Sequence, residues 1–166
     1  VKNMNNIILT ANGTQKADLV LKNASIVNVF TESIEVGDVA ITDGKIVGIG
    51  LYEGKIEKDM TGRFVCPGFI DGHIHLESSM VTPSEFARAV IAHGTTAVIT
   101  DPHEIANVAG CDGITYMMQA TKDLPLDVFF MVPSCVPATD LDESGACLNA
   151  DDITPFYNDR RGLGLA

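Results

Sequence analysis

The sequence predicts an α/β chain in two parts, a small all-β unit followed by the first strand-and-helix repeats of a parallel sheet. Three observations carry this reading. Short β-prone runs broken by turn residues fill the stretch from Ala17 to about Val65. Asp43-Gly44, between two of those runs, has the form of a two-residue hairpin loop of type I′, whose positive φ angles Asp and Gly tolerate. Beyond Val65 the pattern changes to strand, helix, strand, helix, which implies a parallel sheet with helices outside it, either open or closed into a barrel.

In chain order, residues 1–16, with Asn3, Asn5, Asn6, Asn12 and Gly13, carry little pattern and read as a partly ordered leader. Residues 17–65 form the first domain, with strands expected at 18–21, 25–30, 38–42 and 45–49 and a turn at Thr61-Gly62. Residues 64–70, Phe-Val-Cys-Pro-Gly-Phe-Ile, are an almost continuous apolar run of the kind a strand buried on both sides requires. The second domain, 66–166, begins there. Thr82-Pro83-Ser84-Glu85 has the form of a capping box with proline at the first helical position, and Gly94 stands at the expected C′ position, so a helix is expected over 83–93. His93 then falls in its last turn, where a cation complements the helix dipole. Strands follow at 95–100 and 127–132. Between them Ile114, Met117, Met118 and Thr121 repeat at helical spacing until Pro125, and the methionine pair reads as core. A short helix with a polar cap is expected over 149–157 and a fourth strand from 163 to 166.

Composition narrows the function classes. Eleven basic residues against 22 acidic give a formal net charge of -11 in 166 residues, which repels phosphate backbones and anionic lipid head groups. Nucleic acid and membrane surfaces are therefore excluded as expected partners. No basic start followed by an apolar segment appears, and every apolar stretch is cut by a polar residue before it could span a bilayer, so a soluble, cytoplasmic protein is expected. Cys66, Cys111, Cys135 and Cys147 show no C-x-x-C pair and read as reduced, buried packing residues.

The chemistry-bearing segment is Gly68 to Ser78, G-F-I-D-G-H-I-H-L-E-S. On a strand, Asp71, His73, His75 and Glu77 would share one face while Ile70, Ile74 and Leu76 take the other. Two imidazoles so spaced can reach one metal ion, and nearby carboxylates, Asp71 and Glu77, can orient the rings or extend the ligand set. His103 and Glu104 fall in the loop after the next strand, where an α/β barrel exposes its reactive groups, and could bind substrate or hold another metal. Ser134, after the third strand, is a weaker candidate for contacting substrate.

V-C-P-G-F-I-D-G-H-I-H, from Val65 to His75, resembles the first barrel strand of the amidohydrolase superfamily. Three further segments, E-S-S-M-V-T-P from Glu77, D-P-H-E-I-A-N-V from Asp101 and P-S-C-V-P-A from Pro133, are similar to those of bacterial and archaeal adenine deaminases. The resemblance covers roughly residues 17–166. It implies a β-sandwich segment over 17–65, then the first βα units of a TIM-like (β/α)8 barrel, incomplete in this chain because such a barrel needs about 250 residues. It implies hydrolytic deamination of adenine to hypoxanthine and ammonia by a metal-bound hydroxide, with two divalent metals in the complete site, manganese or iron ahead of zinc. His73 and His75 would bind the first metal. The remaining ligands and the catalytic acid or base would come from later strands, beyond residue 166, leaving this chain inactive by itself. A homo-oligomer acting on a small molecule is expected. The alternatives are another amidohydrolase, such as a dihydroorotase, hydantoinase or deacetylase relative, and a non-catalytic metal-binding or oligomerising fragment. The zinc deaminases of the cytidine type are set aside because this chain lacks their P-C-x-x-C element.

Overall fold

The computed structural model describes residues 2–166, with side chains from Met4 onward. They fall into two compact units that meet in sequence between Pro67 and Gly68.

The first unit is a five-stranded mixed sheet with one helix. The expected leader carries α1 (Lys2–Ala11). Its polar asparagines hide the pattern from sequence, but Thr10 is fully buried and accepts a bond from the Thr42 hydroxyl at 3.2 Å, while the Tyr52 hydroxyl donates to the Ala11 carbonyl. Two expected strands are one, β1 (Ala17–Asn28), interrupted by a register shift between Leu21 and Ala24. There Asn23 takes a φ of 59°, which asparagine tolerates, and its amide donates to Asp38 Oδ1. β2 (Ser33–Thr42) and β3 (Lys45–Gly50) flank the hairpin, where Asp43 and Gly44 have φ of 52° and 71° as a type I′ turn demands. β4 (Gly54–Asp59) lies parallel to β1 and escaped the sequence reading. Its G-K-I-E-K-D has one apolar residue because it is an exposed edge, where charge discourages further pairing. β5 (Phe64–Val65) also pairs with β1.

The second unit is a four-stranded parallel sheet in chain order, β6 (Phe69–Ile74), β7 (Thr95–Thr100), β8 (Asp127–Val132) and β9 (Gly162–Leu165). The connections carry α2 (Pro83–Ile91), α3 (His103–Ala120) and α4 (Ala150–Ile153), the last followed by a 3-10 turn at Thr154–Asn158. Val98, Val128 and Phe130 from the sheet pack with Phe86, Ile114, Met117 and Met118 from the helices in one core. Burying an aliphatic or aromatic side chain of this size contributes roughly 1.5–3 kcal/mol each, so this core outweighs any single polar contact nearby.

Three expectations need correction. The apolar run at 64–70 is not one buried strand. Pro67, which has no amide to give a ladder, and Gly68 divide it into β5 and β6, one in each unit, and Phe69 and Ile70 are 61% and 68% exposed. The capping box at Thr82 is not formed: Thr82 has the extended cap conformation, but its hydroxyl meets Ser84 and Glu85 pairs with Arg88. Asn149 instead makes a complete box with Asp152. The cysteines are not core: Cys66, Cys135 and Cys147 are exposed and Cys111 is half-buried, because the first three lie on connections rather than in elements. Among the described residues no helix is long and apolar enough to cross a membrane.

Candidate metal centre

β6 was expected to alternate from Asp71 through Glu77, but the strand ends at Ile74 and its ladder slips: Asp71 pairs with Val98 and Ile74 with Thr100, three residues against two. Such a bulge bends a strand and re-aims a side chain, and here the extra residue lies in the Gly72-His73 stretch. Leu76 then turns into a 3-10 segment over Glu77–Ser79, so Glu77 leaves the strand altogether. The histidines are brought together by this bend rather than by a shared strand face.

His73 Nε2 and His75 Nε2 stand 3.2 Å apart, with the rings nearly perpendicular. The Nδ1 of His75 lies 2.8 Å from the Asp101 carbonyl. A carbonyl only accepts, so Nδ1 carries the proton and Nε2 is left as a lone pair facing His73. Two ligand nitrogens each about 2.0–2.1 Å from one ion and about 100° apart would lie at this separation. The pair therefore fits a single divalent cation, with the backbone of Asp101 fixing the tautomer.

Asp101 is the residue that sequence reasoning passed over. It immediately follows β7, is buried at 6% relative exposure, and its Oδ2 accepts from His103 Nδ1 at 2.9 Å. Its Oδ1 is buried with no partner. Two imidazole nitrogens are within reach of this carboxylate: His75, Asp101 and His103 offer one ligand atom each, all within 4.8 Å of one another. An orphaned carboxylate oxygen beside two imidazoles costs free energy unless a cation or donor completes it, which is the structural argument that this cluster accommodates a metal. The readable signal was an acid at the carboxyl end of a strand, immediately before the Pro-His-Glu that was noticed.

The other candidates have less direct places. Asp71 is exposed and bonds the amide of His73 rather than a ring. Glu77 Oε1 accepts the Ile105 amide at 3.1 Å, and its Oε2 is buried without a partner. Glu104 is exposed and accepts the Ser78 hydroxyl, tying the loop after β6 to the start of α3. Ser134 is exposed and donates to the Ala166 carbonyl, apart from any contact with the histidine cluster.

The amidohydrolase family model matches residues 64–160, which takes in His73, His75, Asp101 and His103. The chain belongs to the amidohydrolase family. As an amidohydrolase it is 58% identical to an adenine deaminase of Geobacillus kaustophilus, over 98% of this chain and 28% of that protein. It is 60% identical to one from Clostridium acetobutylicum over 92% of this chain and 27% of the relative, and 55% identical to that of Bacillus subtilis over 92% and 26%. Thus the chain spans less than a third of the length of these curated relatives. Among solved structures, the N-acyl-D-glutamate deacylase of Bordetella bronchiseptica, complexed with zinc and a phosphonate inhibitor, superimposes with a TM-score of 0.55 at 20% identity, over 71% of this chain and 30% of that one. D-aminoacylase gives 0.55 at 19% identity, over 70% and 29%. These two establish the amidohydrolase fold of the chain.

Proposed function

We propose that the complete protein is a metal-dependent adenine deaminase, to which this chain contributes an amino-terminal β-sandwich segment and the first βα units of a (β/α)8 barrel. The observation that carries the reading is the 58% identity to an adenine deaminase along 98% of the chain, extending through the loops that hold the histidine cluster. His73 and His75 would hold the first of two divalent ions, their Nε2 atoms standing 3.2 Å apart. When bound, a divalent ion supplies Lewis acidity that brings the pKa of water toward neutrality, giving a nucleophile for C6 of the purine. The Asp101 carbonyl keeps His75 in the ligating tautomer, as an outer partner does in metal sites. The Asp101 carboxylate accepts a hydrogen bond from Nδ1–H of His103, which leaves the lone pair on Nε2 of that ring, where it would bind the second ion or substrate. Glu104, beside His103 at the start of α3, is a further candidate for substrate or an additional ion. Ser134 contacts the base at its rim. Water adds to adenine and ammonia leaves, so one proton must reach the exocyclic amine, and the acid that delivers it lies on later strands. Manganese or iron suits the mixed imidazole and carboxylate donors. The enzyme works as a cytoplasmic homo-oligomer, with neither nucleic acid nor membrane as partner, in keeping with its net charge of -11.

The test is ammonia release from adenine by the full-length protein loaded with manganese or iron, with guanine and dihydroorotate as controls, beside the 166-residue chain. Turnover of adenine alone, lost in His73→Ala and His75→Ala and absent from the short chain, is expected. A folded, metal-loaded protein inactive on adenine would overturn the substrate, and turnover by the short chain would overturn the placement of the missing groups.

A further inference from the structure

The helix that carries His103 is shorter than its span suggests. Gly110 interrupts α3 with φ 60° and ψ -142°, so the half bearing His103 and Glu104 covers only residues 103–109. A helix of two turns is marginal without outside support, and its cap residue, Pro102, has no side chain to bond the first amides. Glu77 supplies one tie, at the Ile105 amide.

Asn107 supplies the other. Its Nδ2 donates to the His103 carbonyl at 2.8 Å, and its Oδ1 accepts the Ser144 hydroxyl at 3.0 Å. Its own carbonyl accepts the Gly145 amide at 2.8 Å and a second approach of the Ser144 hydroxyl at 3.1 Å. Both functions of the side chain are thus committed, one to the backbone of His103 and one to the 133–149 loop that follows β8. The contact is backbone against backbone. A Cβ on Gly145 would stand 2.6 Å from the Val108 carbonyl and 2.9 Å from that of Asn107, so only glycine lets the loop seat there. Asn107 is half-buried, so its bond to the His103 carbonyl is partly shielded from water, whereas its bonds to the exposed Ser144 are not.

We propose that Asn107 is a positioning residue that couples docking of the 133–149 loop to the seating of His103, so that loop order and cation affinity rise and fall together. This rests on the reading of His75, Asp101 and His103 as part of the cation site. An alanine at 107 would keep the helix former but remove the side-chain donor to the His103 carbonyl and one of the two acceptors of the Ser144 hydroxyl, leaving it only the backbone carbonyl of residue 107. Alanine at 144 would free the loop arm alone.

The experiment compares the full-length protein with Asn107→Ala, Ser144→Ala, Ser144→Thr and the double alanine variant. Manganese affinity is read by chelator competition on the apoprotein, and protection of residues 138–148 by hydrogen exchange. Both single alanine variants are expected to lose loop protection and to bind manganese about 10-fold more weakly, the low end for outer partners of a metal site. The double variant should be no worse than Asn107→Ala, and Ser144→Thr should restore both readouts. Unchanged manganese affinity in the two alanine variants, or losses that add in the double variant, would overturn the coupling. An unmodified protein that binds no manganese would instead remove the cation-site reading, and this proposal with it. If Asn107→Ala fails to fold, the Ser144 pair still decides, because threonine rescue separates a positioned hydroxyl from mere loop packing.

Discussion

Asp101 does four things with one residue. Its amide donates to the Ile74 carbonyl, its carbonyl holds His75, one carboxylate oxygen holds His103 and the other is buried without a partner. Because Asn keeps the shape and one acceptor but not the charge, Asp101→Asn should separate metal chemistry from folding. The expected outcome in the full-length protein is a loss of manganese affinity of about 10–100-fold. The apoprotein should melt no lower than wild type, since removing an incompletely paired buried carboxylate relieves desolvation. Chelator competition and apoprotein melting measure the two effects. A second buried acid, Asp38, acts on stability alone. Burial pushes its carboxyl up, but the Lys22 ammonium and the amides of Asn23 and Tyr52 outweigh that and hold it below the usual carboxylate value. A depressed folded value contributes stability that is full above the unfolded value, about 3.9, and is lost as pH falls through the folded one. Urea melts should therefore show Asp38→Asn clearly less stable than wild type at neutral pH, with the gap closing below about pH 4.

At the scale of elements, what was legible in the sequence was whatever neighbouring residues encode together. The hairpin follows from Asp43-Gly44, β7 and β8 from continuous β-branched and apolar runs, and the helix cap at 149 from an asparagine three residues before an aspartate. What was not legible depends on partners distant in sequence. β4 is a strand because β1 offers it a parallel edge, and α1 is held by Thr42 and Tyr52. His73 and His75 stand together, but not through a shared strand face, because period-two alternation cannot reveal a bulge that only the register against β7 shows. Gly110 is the clearest element-level test. Its φ of 60° with ψ of -142° is a conformation that side chains rarely adopt, and a Cβ would meet Ala146 at 3.2 Å. Gly110→Ala is expected to cost of order 1–3 kcal/mol in chemical unfolding; a neutral result would mean that α3 can run straight through this position.

For the whole molecule, the parallel sheet leaves both of its outer strands, β6 and β9, without a second neighbour among the described residues. Phe69, Ile70, Leu163 and Leu165 on those strands are exposed. Unpaired edges with apolar side chains recruit other chains. The 166-residue chain is therefore expected to elute above monomer size in gel filtration, increasingly so with concentration, whereas the full-length protein should show one fixed oligomer. A short chain that stays monomeric at every concentration would mean that these edges are blunted by other means. The same sheet has a consequence for synthesis. Its strands stand side by side in the order in which they are translated, so every strand after β6 meets a partner already made as it leaves the ribosome.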